Sequence, residues 1–207
     1  MISKSDIYYN KLQKKFTRRI NLKLSRIKSF LKKENIDVNK IKGEILQVGG
    51  SDGKNAVIES LKSIFLESGK NITTYTSPSI ISPLDRIFLK NKYISLKKFK
   101  KFGNYLINSK AKLTLFEAIT AIYILTIKKL KNIDFHCVES GAGFEKDATN
   151  IWSSPKAQVI TNINLQHLDL FGVKTIKDIC KIKVGSLSKN TTIYIGKQDP
   201  KVLKIVK

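Results

Sequence analysis

GEILQVGGSDGKNAVIESLKSIFLE, Gly43 to Glu67, decides the fold. Glu44 to Val48 has the short apolar run of a buried strand. Gly49-Gly50-Ser51-Asp52-Gly53-Lys54 is a glycine-rich turn. From Asn55 onward Val57, Ile58, Leu61, Ile64 and Phe65 recur at the spacing of one helical face, and Gly69 stands where a helix stops. Strand, glycine loop with lysine, and helix is the layout that cradles phosphate. Glycines let backbone N–H groups approach an anion, the helix N-terminus adds positive potential, and the lysine brings a full charge. A strict P-loop places Ser or Thr directly after its lysine to hold Mg2+. Asn55 and Ala56 follow Lys54 here, so that hydroxyl is missing. A phosphate site and a plain strand-to-helix turn are the two readings of this loop, and the phosphate site is favoured.

Composition bounds the rest. The 207 residues suit one domain of ordinary size with a real core, and 42% are hydrophobic. No apolar run approaches the roughly 20 residues that span a bilayer. The N-terminus, MISKSDIYYNKLQKKF, lacks a signal peptide's apolar segment. Cys137 and Cys180 lie far apart without metal spacing, so a reduced, cytoplasmic protein is expected. The formal net charge of +23 raises nucleic acid as a partner. Arginine occurs only at positions 18, 19, 26 and 86, while lysine, isoleucine and asparagine abound. Specific readers of bases lean on bidentate arginine. The charge therefore reads as a compositional bias spread over solvated faces, and specific nucleic-acid binding is not expected.

Outward from the opening stretch, residues 1–20 are basic and weakly periodic, and Asn21 is a candidate cap for a helix running to about Lys33. Asn71 to Thr76 reads as a second strand that ends in the irregular loop Ser77-Pro78-Ser79-Ile80-Ile81-Ser82-Pro83, with Arg86 just beyond. Lys90 to Lys110 is basic, partly helical and expected to be exposed. Thr114 and Glu117 form a capping box ahead of a helix to about Leu130. Asp134 to Glu139 and Ala157 to Ile163 are strands, Thr175 to Val184 is a helix, and Thr191 to Ile195 is a last strand. Strands alternating with helices predict an α/β fold, a mainly parallel sheet with helices on both faces. Ligands of such sheets gather at the carboxyl ends of strands. The glycine loop, Ser77-Pro78, Glu139 and His167 all follow predicted strands, and together they suggest a nucleotide–metal site.

These motifs also resemble a known family. Gly50-Ser51-Asp52-Gly53-Lys54-Asn55-Ala56 follows in outline the Gly-Thr-Asn-Gly-Lys-Gly-Ser loop of folylpolyglutamate synthase/dihydrofolate synthase, within the Mur ligase superfamily. Tyr75-Thr76-Ser77-Pro78 resembles its Tyr-Thr-Ser-Pro-His, and Leu113 to Ala118 its Leu-Thr-Leu-Phe-Glu-Ala. Glu139 to Gly143 with Asp147-Ala148-Thr149-Asn150 resembles its Glu-Val-Gly-Leu-Gly-Gly-Arg-Leu-Asp-Ala-Thr-Asn. His167 with Gly172 resembles its Asp-His-Thr-Glu-Phe-Leu-Gly, and Lys183-Val184-Gly185 its Lys-Ala-Gly.

The resemblance implies one ATP-binding domain over 1–207, with 1–43 as an N-terminal helical extension, and P-loop-type nucleotide binding. It implies an ATP- and Mg2+-dependent ligase that turns a folate or dihydropteroate carboxylate into an acyl phosphate, which the amine of glutamate then attacks. Gly50, Ser51, Asp52, Gly53, Lys54, Asn55 and Ala56 would hold ATP. Glu139 and His167 would hold Mg2+, with Lys183, when carbamylated, as a ligand to a second ion. Lys54, Lys183 and His167 would be catalytic, and Ser77, Pro78 and Arg86 would bind substrate. The departures are Asn55 for glycine, Ala56 for serine, Ser79 for histidine, Glu145 for arginine and Gln166 for aspartate. The family also has a C-terminal domain that binds glutamate, which this sequence lacks, so a separate chain carrying it is an expected partner. A non-catalytic relative that binds nucleotide or folate is the alternative, and a basic-surface nucleic-acid binder a third.

Overall fold

The structure, a computed structural model, describes residues 3–18 and 22–206. Among these residues seven strands form one sheet in the order β4-β3-β2-β5-β1-β6-β7. They are β1 Glu44–Gly49, β2 Ile72–Tyr75, β3 Ile87–Leu89, β4 Lys92–Tyr93, β5 Phe135–Glu139, β6 Ala157–Ile160 and β7 Thr192–Ile195. β2, β5, β1, β6 and β7 run parallel, and the β3–β4 hairpin is antiparallel at one edge. The helices are α1 Lys4–Lys15, α2 Leu24–Lys33, α3 Lys54–Glu67, α4 Leu96–Asn108, α5 Leu115–Ile127, α6 Leu168–Phe171, α7 Ile176–Val184 and α8 Pro200–Val206.

Alternation along the strands sorts the core into layers. Leu46, Val48 and Cys137 point to the face covered by α3, packing on Ile58. Ile45 and Val138 point to the opposite face, under α5 and the N-terminal helices. All but the first-turn Phe116 of α5 is buried, which suits a central helix apolar all round. Its capping box forms as expected: the Thr114 N–H donates to Glu117 Oε2 at 2.7 Å, and the Glu117 N–H to Thr114 Oγ1 at 3.3 Å. Ile160, Ile163, Ile179, Cys180 and Val202 make a smaller cluster under α7 and α8.

Two local readings change. The N-terminal segment forms α1, started by a Ser3–Asp6 capping box that is visible as Ser-x-x-Asp, and Tyr8, Leu12 and the C-cap Phe16 are buried in the main core. The basic stretch after β4 is not a free surface, because Phe99, Phe102, Gly103 and Leu106 share one face and bury it. Tyr8 crosses that face so closely that a Cβ on Gly103 would stand 2.5 Å from its hydroxyl. Asn21 lies outside the described residues, and α2 starts at Leu24 with no side-chain cap.

Candidate functional site

The turn after β1 sits at the amino end of α3. Gly50 has φ 129°, and a Cβ there would meet Thr161 Oγ1 at 2.0 Å, so glycine is required where this turn presses on the end of β6. Gly53 has φ 82°, and a Cβ there would meet nothing within 4 Å. The backbone is thus exposed to open space at the helix start, as an anion cradle requires. Lys54 Nζ donates to the Ser51 carbonyl at 2.8 Å and lies 3.9 Å from Glu139 Oε1. Asn55 and Ala56 occupy the first turn of α3, with Ala56 exposed.

The same turn is stitched to the loop that follows β6. The Ser51 N–H donates to the Asn162 carbonyl at 2.8 Å, and the Asn164 N–H to Ser51 Oγ at 2.9 Å. The Asp52 carboxylate accepts Asn164 Nδ2 at 2.7 Å and Gln166 Nε2 at 2.9 and 3.0 Å. These amide bonds, Gln166 foremost, hold the Asp52 carboxyl below its usual range. His167 comes next, at φ 59°, with its ring edge-on to Phe171. Desolvation first, then the charges of Lys183 and Lys54, push its imidazole toward the neutral form. That is the form that ligates metals.

On the other side, Glu139 ends β5 and is buried. Its Oε2 accepts the Ser77 N–H at 2.9 Å, which ties the end of β2 to the end of β5. Burial raises its pKa, opposed by the Ser77 bond and by Lys54 and Arg86. Arg86 is 4% exposed; its Nε donates to the Thr76 carbonyl at 3.1 Å and its Nη2 to the Tyr75 hydroxyl at 3.1 Å. Lys183 is 2% exposed, and its Nζ donates to the carbonyls of Gly50 at 2.9 Å and Ala142 at 3.0 Å. Burial, with Lys54 nearby, lowers its pKa to about 8.

A cavity of about 490 Å³ opens beside the turn. Lys54, Ser77, Pro78 and Arg86 line it, with Phe116 and Asp147 opposite. Asp147 earned no role from the sequence, although it stands in the quoted Asp-Ala-Thr-Asn motif. Its Oδ1 accepts the Thr149 N–H and hydroxyl, while Oδ2, which lies against Gly141, has no well-formed hydrogen bond. Burial pushes this carboxyl up to about 6.

Among the described residues no three His, Cys, Asp or Glu side chains cluster for a metal. Glu139 and His167 each feel the Lys54 charge, so both flank the turn. Mg2+ bound through phosphate needs only one or two protein ligands and fills the rest of its shell with phosphate oxygens and water. A carboxylate and a neutral imidazole beside a phosphate cradle fit that description. The other histidine, His136, is buried structure: its Nε2 donates to the Lys42 carbonyl and its Nδ1 accepts from Thr73.

The Mur ligase middle domain family model matches residues 48–206. The chain belongs to that family. Two relatives are both called dihydrofolate synthase/folylpolyglutamate synthase. The one from Buchnera aphidicola is 31% identical over 192 residues, 91% of this chain and 44% of its own length. The one from Bacillus subtilis is 29% identical over 168 residues, 77% of this chain and 39% of its own. Among solved structures, E. coli FolC in complex with DHPP and ADP has the same fold, with a TM-score of 0.85 at 23% identity over 99% of this chain and 48% of that one. Mycobacterium tuberculosis folylpolyglutamate synthase complexed with ADP and AMPPCP gives a TM-score of 0.75 at 25% identity, over 89% and 44%. The chain therefore spans less than half the length of these Mur ligase relatives. No helix among the described residues is long and apolar enough to cross a membrane.

Proposed function

We propose that this chain is the ATP-binding part of an ATP-dependent amide ligase that adds glutamate to a folate or dihydropteroate carboxylate. The observation that carries the reading is that Lys54 belongs at once to the phosphate-type turn and to the wall of the 490 Å³ cavity. A triphosphate on the turn and a carboxylate in the cavity would meet at one cation. Phosphoryl transfer needs little more than alignment and charge neutralisation.

In this reading the turn from Gly50 to Ala56 holds the ATP phosphates, and Lys54 leaves the Ser51 carbonyl to reach them. The acceptor carboxylate takes the γ-phosphoryl group of ATP, releasing ADP, and the amine of glutamate opens the resulting acyl phosphate to give amide and phosphate. A bound Mg2+ would supply neutralisation of the charge that develops on the phosphate. Glu139 and His167 would hold it. Lys183, with its lowered pKa, keeps more of the neutral amine that takes up CO2, and its carbamate would serve a second ion. Ser77, Pro78 and Arg86 shape the folate end of the cavity, with Asp147 Oδ2 a buried acceptor for an N–H of the substrate. Residues 1–207 act as one ATP-binding domain in the cytoplasm, and glutamate is brought by a C-terminal domain or a partner chain.

The test is ATP-dependent incorporation of labelled glutamate into dihydropteroate or tetrahydrofolate, with a relative's C-terminal domain supplied. Product that requires Lys54 supports the ligase, and no product under any folate sinks it. Ala56 favours one second reading, a relative that binds nucleotide or folate without turnover, since no hydroxyl follows Lys54. Calorimetric titration that finds binding while the incorporation assay stays blank would establish it.

A further inference from the structure

Asp52 sits oddly in a loop meant for phosphate, since a carboxylate there repels the ligand. The structure shows where that charge is spent. Oδ1 accepts Gln166 Nε2, and Oδ2 accepts both Gln166 Nε2 and Asn164 Nδ2. Three more bonds, from the N–H groups of Ser51, Asp52 and Asn164, run between the same two loops. Gly50 is pressed against Thr161 beneath them. His167 is the residue after Gln166, held at φ 59° in a left-handed conformation that is unfavourable for a non-glycine residue. Its place therefore depends on what anchors Gln166.

We propose that Asp52 and Gln166 act as one carboxylate–amide pair, and that Asp52 is a positioning residue that sets His167 against the phosphate loop. The pair places one carboxylate and one amide between the two loops, so swapping the two groups leaves the total charge unchanged.

The proposal rests on the nucleotide–metal reading of this site, so its test carries one readout that needs no nucleotide. ATP affinity is measured with and without Mg2+ for wild type, Asp52→Asn, Gln166→Asp and the double variant. Gln166→Asp sets two carboxylates face to face and is expected to cut the Mg2+ enhancement of ATP affinity about tenfold, and Asp52→Asn, which leaves amide against amide, about threefold. The double variant has the charge of wild type and is expected to return to within about twofold of it. In parallel the Hε1 resonance of His167, one of only two histidines, is followed by NMR without nucleotide. The single variants should displace it and the double variant should bring it back. If Gln166→Asp does not fold, Gln166→Ala and Asp52→Ala close the same cycle without a clash of charges. Losses that simply add in the double variant, with His167 displaced further, would overturn the pair and its positioning role. If wild type shows no Mg2+-dependent ATP binding while the His167 resonance is still rescued, the nucleotide reading fails and the positioning stands.

Discussion

The two walls of the site are built on different physics. The β2–β5 wall consists of Thr76 to Arg86, Glu139 and Asp147, and it buries Glu139 at 3%, Arg86 at 4% and Asp147 at 1% exposure. The β1–β6 wall consists of Gly50 to Ala56 and Asn162 to His167, and its Asp52, Ala56, Asn164 and His167 are exposed. Burial makes each of these three groups depend on fixed protein partners, because an unpaired buried charge or donor costs several times what a made bond contributes. The second wall is solvated, and its bonds are many and individually weak.

Substitutions can break or sharpen this contrast. The largest effect is expected at Arg86→Met, which keeps the volume but leaves the Thr76 carbonyl without its bond from Arg86 and the Tyr75 hydroxyl without that donor. It should cost about 2–4 kcal/mol in urea unfolding, and a loss below about 0.5 kcal/mol would put this wall on a par with the solvated one.

Asp147 gives the next effect and a sign that surface carboxylates do not show. Its folded pKa of about 6 lies above the ordinary 3.8, so the folded protein holds this proton more tightly than the unfolded chain. Its contribution to stability is therefore complete below the unfolded value and is lost as pH rises through about 6. Asp147→Asn should leave stability at pH 4 little changed, raise it by about 1–3 kcal/mol at pH 8, and flatten the profile between. Thermal melts across that range check it, and a variant as pH-dependent as wild type would remove Asp147 from the account.

On the open wall the effects are smaller and appear in binding. Ala56→Ser with Asn55→Gly restores a hydroxyl and close backbone approach, and should tighten Mg-ATP by about 1–2 kcal/mol. Lys54→Ala should remove most of the binding that exists. No change in either titration would mean that this turn is not a phosphate site. Smallest is Gly53→Ala, which meets no neighbouring atom yet must hold φ 82°, so stability should fall by about 1 kcal/mol from backbone strain alone. A neutral result in chemical denaturation would show that the turn relaxes, and with it the fixed geometry of the cradle.

By itself the sequence determined the α/β class, the strand–turn–helix at Gly43 to Glu67, the Thr114–Glu117 cap and the order of motifs along the chain. Each of these is local: a period of two or 3.6 residues, a glycine at a turn, or a capping pair three residues apart. The N-terminal helix was equally local in its Ser3–Asp6 cap, but its basic surface hid the buried stripe of Tyr8, Leu12 and Phe16. Only the tertiary structure decided that β5 lies between β1 and β2, and so that Glu139 stands beside both Lys54 and Ser77. Only it showed that Asp52 and Gln166, 114 residues apart, share hydrogen bonds, and that Asp147 keeps a carboxylate oxygen without a well-formed one. Hydrogen bonding and desolvation act over a few ångströms, and which distant residues come that close is set by how the sheet is assembled.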